Sequence, residues 1–225
     1  MDKLIDRLKA IDTPTLSNAI EQLKVRNRTS GFCDRSLKCF FPQLGVMCGY
    51  AITAQVETMT PDRSDIMEKH KTFIELVKAV QESPGPCVVV LQETTGRQGF
   101  SVHCGDIMAS LFKRTGAVGL VSDSAVRDKS EVEAAGFHYF ATGLVASHAN
   151  FRILRIQVPV TICGLVIKPG DLLHGDVNGL ITVTEQGREQ LPQLVEKVQQ
   201  RESKLLNFIS SDQFTPEGFY DLLIN

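Results

Sequence analysis

Gly105-Asp106-Ile107-Met108 and Val121-Ser122-Asp123-Ser124-Ala125-Val126-Arg127-Asp128 are the two stretches around which the rest of the chain is organised. The first follows an apolar segment and opens a helical pattern. The second follows a β-rich run, Val118 to Val121, and ends in a polar turn. In an open α/β layer, ligands bind beyond the carboxyl ends of strands, where backbone amides and loop side chains meet. The pattern therefore predicts an α/β fold with both stretches at one edge of a sheet.

The residue types in these stretches predict the chemistry of that edge. A helix that begins at Gly105-Asp106 presents free N–H groups, which suit an anion. Arg127 offers a planar cationic fork for a carboxylate, and Asp128 offers a hard oxygen ligand for a divalent metal. Together they predict a binding site for a small anionic keto acid.

Composition narrows the class of protein. The 225 residues suit one large domain, and 43% hydrophobic with 22% charged residues is ordinary for a globular protein. A formal net charge of −2 gives no electrostatic reason to expect nucleic acid or an acidic membrane as partner. The N-terminus lacks a signal-type apolar core, and no apolar run approaches the roughly 20 residues of a membrane span. We expect a cytoplasmic protein.

Periodicity and turn residues give the order of the elements. An N-terminal helical arm covers residues 2–10 and a second helix capped by Asp12 or Thr13, and a strand covers 49–56. Further helices are predicted over about 66–81, 105–114 and 129–135, and over a long C-terminal region at about 185–209. Further strands are predicted at 37–41, 87–91, 117–121, 138–141 and within 153–183, with a short extended piece at 100–103. We interpret residues 1–225 as a single α/β domain.

The six cysteines form no C-x-x-C pair, so we expect reduced cysteines that serve mainly in packing.

Asp106, twenty intervening residues and then Arg127-Asp128 reproduce the D-x20-R-D spacing of the RraA-like family, which includes 4-hydroxy-4-methyl-2-oxoglutarate aldolases. The sequence resembles that family over a core of about residues 12–205. Two positions depart from it. Asp123-Ser124 stands where many members have Asp-Gly, and Asn18 stands where many have Asp. Supporting segments are 49–53, 105–106, 116–119, 169–171 and 176–179.

The resemblance implies a swivelling β/β/α domain, assembled as a homotrimer or as a dimer of trimers (a homohexamer), with sites at subunit boundaries. It also implies a divalent cation, Mg²⁺ or Mn²⁺, and a class II type aldolase or decarboxylase, a carbon–carbon lyase that releases pyruvate from a small keto acid. Carried over, Gly105 to Met108 surround the substrate, Arg127 grips it, and Asp128 holds the metal, partly through waters. Asp106 then lies behind the metal ligands or positions a metal-bound water.

Both reactions of the family break a carbon–carbon bond next to a carbonyl and leave a pyruvate enolate. A divalent metal chelated by the keto oxygen and carboxylate stabilises that charge as a Lewis acid, and Arg127 offsets charge on the developing oxyanion. The nearby lysines, Lys113 and Lys129, lie on the helix and after the turn, so we expect no lysine Schiff base.

Other interpretations of these residues stay open from the sequence. Arg127-Asp128 alone is typical of a solvated turn pair, and Asp106 is typical of a helix cap. His103, His148 and His174 lack metal-ligand spacing, and Glu202 has the pattern of a solvated helix face that could instead reach a neighbouring subunit. A different class of function is also open, because some RraA-like proteins are non-catalytic regulators that bind and inhibit a ribonuclease.

Overall fold

The computed structural model describes residues 3–58, 66–148 and 150–224, with the backbone alone at 66–70. Its α-helices are α1 (Lys3–Leu8), α2 (Thr13–Gln22), α3 (Ile66–Gln81), α4 (Asp106–Thr115), α5 (Lys129–Ala134), α6 (Leu191–Ile209) and α7 (Pro216–Ile224). Its strands are β1 (Lys38–Cys39), β2 (Met47–Thr58), β3 (Cys87–Glu93), β4 (Ala117–Ser122), β5 (Ala125–Val126), β6 (His138–Ala141), β7 (Gly143–Leu144), β8 (Phe151–Ile156), β9 (Val160–Ile162), β10 (Leu165–Ile167), β11 (Leu172–Asp176) and β12 (Gly179–Val183).

A parallel β-α-β arrangement forms the centre of the molecule. The main sheet has the order β1-β6-β4-β3-β2-β11-β12, and the four strands β2, β3, β4 and β6 run parallel to one another. Helices α3, α4 and α5 make the crossovers that parallel strands require. The carboxyl ends of β2, β3, β4 and β6 therefore meet at one edge, and the predicted α/β class is confirmed.

The long strand β2 joins this parallel half to an antiparallel half. Its first residues pair with β11, and its last residues pair with β8, with a register shift between Gln55 and Val56. The irregularity bends β2 and turns the sheet toward closure. This curvature brings Phe151, at the start of β8, toward the carboxyl end of the parallel strands.

Continuous burial explains why the central strands are so apolar. Residues 87–91 of β3 are fully buried, as expected for a strand covered on both faces. On one face β3 packs in a core that includes Leu76 of α3 and Phe112 of α4. On the other it packs against residues of β9, β10 and β11. Each such side chain contributes about 1.5–3 kcal/mol through burial.

The N-terminal arm packs on the antiparallel half. Asp12 caps α2 by accepting a 2.9 Å hydrogen bond from the Thr15 amide, and Pro14 lies in the first turn, as predicted. Thr13 donates its amide to Asp176 Oδ2 at 2.8 Å, and its hydroxyl lies 2.9 Å from His174 Nδ1. The other nitrogen of His174 lies 3.1 Å from the Leu8 carbonyl oxygen, so one buried imidazole ties both helices of the arm to β11.

Three predicted elements differ from the observed ones. The long helix begins at Leu191 instead of near 185, since 188–190 form a 3₁₀ turn and Pro192 stands in the first helical turn. The strand predicted at 37–41 shrinks to β1. In the extended piece predicted at 100–103, residues 98–100 form a 3₁₀ turn, and Val102 alone makes a β-bridge.

None of the helices in the described ranges combines the length and apolar character that a bilayer-crossing segment needs.

Candidate functional site

The first half of the site is the N-terminus of α4. Gly105 is its N-cap, with extended backbone (φ −125°, ψ −170°), and its carbonyl accepts the first helical bond from Ala109. Asp106 stands in the first turn, where a carboxylate is stabilised by the helix dipole, and its Oδ1 accepts a 2.7 Å hydrogen bond from the Ile107 amide. Gly116 ends the helix in the left-handed conformation.

The second half of the site is the turn after β5. Asp128 has left-handed backbone (φ 55°, ψ 44°), which is uncommon for a residue with a side chain and costs about 1 kcal/mol. Its Oδ2 atom accepts a 3.1 Å hydrogen bond from the Asp106 amide and lies 3.2 Å from Nε of Arg127. Both side chains are about a third exposed, which leaves them accessible to a ligand.

A short parallel ladder holds the two halves together. Val102 bridges Ala125, the His103 amide donates to the Ala125 carbonyl at 3.0 Å, and the Arg127 amide donates to the Cys104 carbonyl at 3.0 Å. The segment before α4 and the segment before α5 therefore behave as two paired strands. Their relative position sets the distance between the α4 amides and Arg127.

Gly105 lacks a side chain at the place where the two halves touch. A Cβ atom built there would lie 2.4 Å from Oδ2 of Asp128 and 2.9 Å from Nε of Arg127. Both distances are well inside van der Waals contact. The carboxylate and the guanidinium thus lie directly against the glycine backbone, which explains why this position suits glycine although its φ is negative.

A small pocket opens beside these groups. Its volume is about 160 Å³, which matches a molecule of a few heavy atoms, such as a short keto acid. A larger groove of about 760 Å³ lies between α3 and β2, but it is far from Arg127 and Asp128 and contains neither. We take the small pocket as the candidate site. Its lining is Val102, Cys104, Gly105, Asp106, Ile107, Met108, Arg127, His148 and Phe151.

The donor set fits a magnesium-type ion better than zinc. Across the described residues, no three His, Cys, Asp or Glu side chains cluster closely enough to hold a metal ion. Zinc sites normally use three or four such ligands. Magnesium commonly uses one or two carboxylates and fills its remaining positions with water and substrate oxygens. Asp128, with Asp106 beside it, fits that second arrangement.

The structure brings every predicted site residue to this one place. Gly105, Asp106, Ile107, Met108 and Arg127 line the pocket, and Asp128 contacts two of them. Ile107 lines the pocket and is 78% exposed.

The remaining candidate residues, three histidines and Glu202, differ in their relation to the pocket. His148 is exposed and lines the pocket, whereas His103 and His174 are fully buried and do not line it. Glu202 lies on α6 and accepts a 3.3 Å hydrogen bond from Nδ2 of Asn18.

Cys104 also lines the pocket, but burial raises the pKa of its thiol to about 12. The group therefore stays protonated near neutral pH and is not a nucleophile. The described cysteines are all reduced thiols, as expected.

Glu93 was not found by the sequence reasoning. It ends β3 and is only 2% exposed, yet its carboxylate is surrounded by hydroxyl and amide donors and by His103. Burial by itself raises the pKa of Glu93, but hydrogen bonds from His103, Thr58 and Thr95 outweigh burial and lower it well below its usual range. The sequence signal was a polar stretch, Gln92 to Thr95, directly after a fully apolar strand.

Comparison with known proteins agrees with the fold. The family model described as RraA-like, Aldolase/RraA, matches residues 13–182. The chain belongs to the RraA-like family. The swivelling β/β/α fold predicted for it is confirmed, together with the N-terminal arm and the long C-terminal helix.

Individual relatives are distant. The chain is 28% identical over 152 residues to a Halalkalibacterium halodurans protein provisionally named 4-hydroxy-4-methyl-2-oxoglutarate aldolase, covering 67% of this chain and 71% of that one. A crystal structure of Streptomyces coelicolor RraAS2, described as an unusual member of the RNase ES inhibitor RraA family, aligns with a TM-score of 0.68 and 22% identity over 91% of this chain and 96% of that one.

A crystal structure described as novel cellulases from gut-associated microbes aligns with a TM-score of 0.75 and 17% identity, over 91% of this chain and 87% of that one. At such low identities the two structures show the shared fold alone.

Proposed function

We propose that this protein is a divalent-metal-dependent carbon–carbon lyase that releases pyruvate from a small keto acid, as a 4-hydroxy-4-methyl-2-oxoglutarate aldolase, an oxaloacetate decarboxylase or both. One observation carries the proposal. Arg127, the Asp128 carboxylate and the N-terminal end of α4 converge on the Gly105 backbone beside a pocket of about 160 Å³. A cation, a metal-binding carboxylate and the positive end of a helix are groups that suit a chelating keto acid.

Each residue has a definite part in binding. Arg127 binds the substrate carboxylate at the positive end of α4 and offsets charge on the oxyanion that forms as the carbon–carbon bond breaks. The Asp106 and Ile107 amides of that first turn hold the carboxylates of Asp128 and Asp106 in place. Asp128 would hold Mg²⁺ or Mn²⁺, and Asp106 would order water beside it. When bound, the cation supplies Lewis-acid stabilisation of the enolate charge. Cys104, Val102 and Phe151 form an apolar wall that limits water.

The aldolase and decarboxylase reactions each break a carbon–carbon bond at C3 and lead to the same pyruvate enolate. In the aldolase reaction the 4-hydroxyl loses its proton, the C3–C4 bond breaks, one pyruvate leaves as a ketone, and the electron pair stays on the second as its enolate. In the decarboxylation the electron pair of the C3–carboxylate bond goes to the same enolate and carbon dioxide leaves. Protonation at C3 then gives pyruvate in both cases.

A coupled pyruvate-release assay tests the proposal. The substrates are oxaloacetate and 4-hydroxy-4-methyl-2-oxoglutarate with magnesium, and the controls are a chelator and the Asp128→Ala variant. Oxaloacetate decarboxylates on metal alone, so the rate above the protein-free blank is what counts. We expect release that both controls abolish. Folded protein with no release above the blank from either substrate would reject this function.

The second candidate is a non-catalytic regulator that binds a ribonuclease, in keeping with the description of the RraAS2 structure. Two large apolar side chains near the pocket favour a protein contact there, because Phe100 is 76% and Ile107 is 78% exposed. Binding of an RNase E-type enzyme that Ile107→Asp abolishes, in protein without lyase activity, would select this candidate.

We also propose, on the family resemblance, that the protein assembles into a homotrimer or a dimer of trimers. Light scattering coupled to gel filtration measures that assembly. We further propose a cytoplasmic location, with the keto acid as ligand and neither nucleic acid nor membrane as partner.

A further inference from the structure

A largely buried polar cluster lies beneath the site. Glu93 lies at the end of β3, Thr58 at the end of β2 and Ser122 at the end of β4. Ser101 and His103 come from the segment that leads into α4. This cluster therefore touches three parallel strands and the strand-like segment that carries Gly105.

Glu93 is satisfied as an ionised group. Its Oε1 accepts from the Thr58 amide at 3.2 Å, the Thr95 amide at 2.9 Å and the Thr95 hydroxyl at 2.7 Å. Its Oε2 lies 2.6 Å from the Thr58 hydroxyl, 2.8 Å from the Ser101 hydroxyl and 3.4 Å from Nε2 of His103. The two hydroxyls also bond each other, so one of them donates to Glu93 and the other to its neighbouring hydroxyl. The donors to this one carboxylate offset the large cost of placing a charge out of water.

The hydrogen bonds assign the protons of His103. The Ser122 hydroxyl oxygen accepts the Ser124 amide at 3.0 Å and lies 2.9 Å from Nδ1 of His103. The ionised Glu93 carboxylate can only accept, so Nε2 of His103 carries the proton that faces it. The other ring nitrogen, Nδ1, lies against the Ser122 hydroxyl. His103 thus connects β3 and β4.

We propose that Glu93, His103 and Ser122 are positioning residues, which fix the segment before α4 relative to the Arg127-Asp128 turn. His103 is the residue whose backbone amide bonds Ala125, two positions before Arg127. Its side chain anchors the same residue to β3 and β4. Loss of the anchor lets residues 101–104 shift against 125–127 and separates the α4 amides from Arg127. A displacement of about 1 Å in an active site lowers rates roughly 10²-fold.

The chain contains a matched control for a merely structural role. His174 is also fully buried and also uses both ring nitrogens, bonding Thr13 and the Leu8 carbonyl. It ties down the N-terminal arm instead of the site. If His103 and His174 variants lose similar stability, a difference in their activity is due to positioning of the site and not to stability.

The kinetic arm rests on the proposed function and compares His103→Asn with His174→Asn at a temperature where circular dichroism shows both folded. We expect His103→Asn to lower kcat about 10- to 100-fold and His174→Asn to lower it less than about threefold. His103→Gln, which keeps a donor toward Glu93, recovers part of the rate. Ser122→Ala is a smaller change and shows the same kcat loss more weakly.

The exchange arm needs no activity. Hydrogen–deuterium exchange is followed in peptides covering 101–109 and 123–128, where the amides of His103, Ala125 and Arg127 are bonded. We expect faster exchange there in His103→Asn or Ser122→Ala and unchanged exchange in His174→Asn, which instead loses protection in residues 3–22.

Unchanged exchange at 123–128 in both His103→Asn and Ser122→Ala overturns the proposal, as does an equal loss of kcat in His103→Asn and His174→Asn. If the unmodified protein releases no pyruvate, the proposed lyase fails alone, and the exchange result still decides whether these residues position the turn.

Discussion

The backbone amide of Asp106 donates a hydrogen bond to Oδ2 of Asp128 across 3.1 Å and a separation of 22 residues. The same oxygen lies 3.2 Å from Nε of Arg127. One carboxylate oxygen thus contacts the positive end of α4 and a guanidinium together. This arrangement fixes the position of the Asp128 carboxylate against the first turn of α4 and the Arg127 side chain.

Gly105→Ala should separate activity from stability. The new Cβ would lie 2.4 Å from Oδ2 of Asp128 and 2.9 Å from Nε of Arg127. Those atoms end flexible, partly exposed side chains, and the backbone at φ −125° accepts alanine, so the fold adjusts at small cost. The displaced groups no longer meet the substrate correctly, and we expect kcat/KM for pyruvate release to fall about 10²-fold.

The control for this change is Gly99→Ala, where an added Cβ meets no atom within 4 Å. It should keep the rate of the unmodified protein. A Gly105→Ala variant with full activity would show that the Asp128 and Arg127 positions seen here are not the ones used in the reaction.

Arg127→Lys should lower activity although it keeps the positive charge. Lysine lacks the planar fork that binds a carboxylate through two parallel hydrogen bonds. We expect about a 10²-fold loss in kcat/KM, which corresponds to about 3 kcal/mol for one preorganised donor. The measurement compares the steady-state kinetics of Arg127→Lys with those of Arg152→Lys. Arg152 is the control because it also pairs with a partly exposed carboxylate, that of Glu57. Equal activity of the two variants would argue against a substrate contact at Arg127.

Local sequence patterns predicted most of the elements and all the pocket residues just discussed. The boundaries of α3, α4 and β3 follow from apolar periodicity and from glycine or proline at their ends, which act over a few residues. These boundaries are features that a single stretch of chain determines by itself. The D-x20-R-D spacing of the family resemblance indicates two further segments, which the sheet brings together.

Other features depend on contacts between distant segments and left weak signals. The buried Glu93 carboxylate is held by donors from two other segments, Thr58 at the end of β2 and residues 101–103, and such long-range contacts leave no local sequence pattern. The short parallel pair β5 and β7 has two residues per strand, below the length at which alternation is visible. The pattern predicts a start near 185 for the C-terminal helix, but α6 begins at Leu191, because the 3₁₀ turn 188–190 has a helix-like sequence pattern.

Acid should destabilise the fold before its carboxylates titrate. Burial, with a smaller effect from Lys9, lowers the pKa of His138 to about 4, against 6.5 in an unfolded chain. Between pH 6.5 and 4, His138 is therefore protonated in the unfolded state and neutral in the folded state. The free energy of unfolding decreases as pH falls through this range. The shift corresponds to about 3 kcal/mol at most. The pKa of His174 is lowered too, mainly by burial, and adds a loss of the same sign.

Urea unfolding between pH 7 and 4.5 measures this effect. His138→Gln removes one titrating group, so its free energy of unfolding should depend less steeply on pH in that window. His148→Gln, at an exposed histidine, is the control and should keep the slope of the unmodified protein. A slope that His138→Gln leaves unchanged would mean that His138 is protonated in the folded state.

Asp176→Ala should destabilise the attachment of the N-terminal arm and leave the site intact. Asp176 is buried at the end of β11; its Oδ2 accepts the first amide of α2 from Thr13 at 2.8 Å, and its Oδ1 accepts the Asn178 amide at 2.8 Å. Removing the carboxylate leaves two amides without these acceptors, at a cost of about 2–3 kcal/mol.

Asp171→Ala is the matched control, because its Oδ2 caps an exposed turn by accepting the Lys168 amide at 2.7 Å, which is worth about 1 kcal/mol. Urea midpoints should therefore rank Asp176→Ala well below Asp171→Ala, with pyruvate release per folded molecule equal in both. An Asp176→Ala variant that unfolds like Asp171→Ala would show that the arm is held by apolar packing alone.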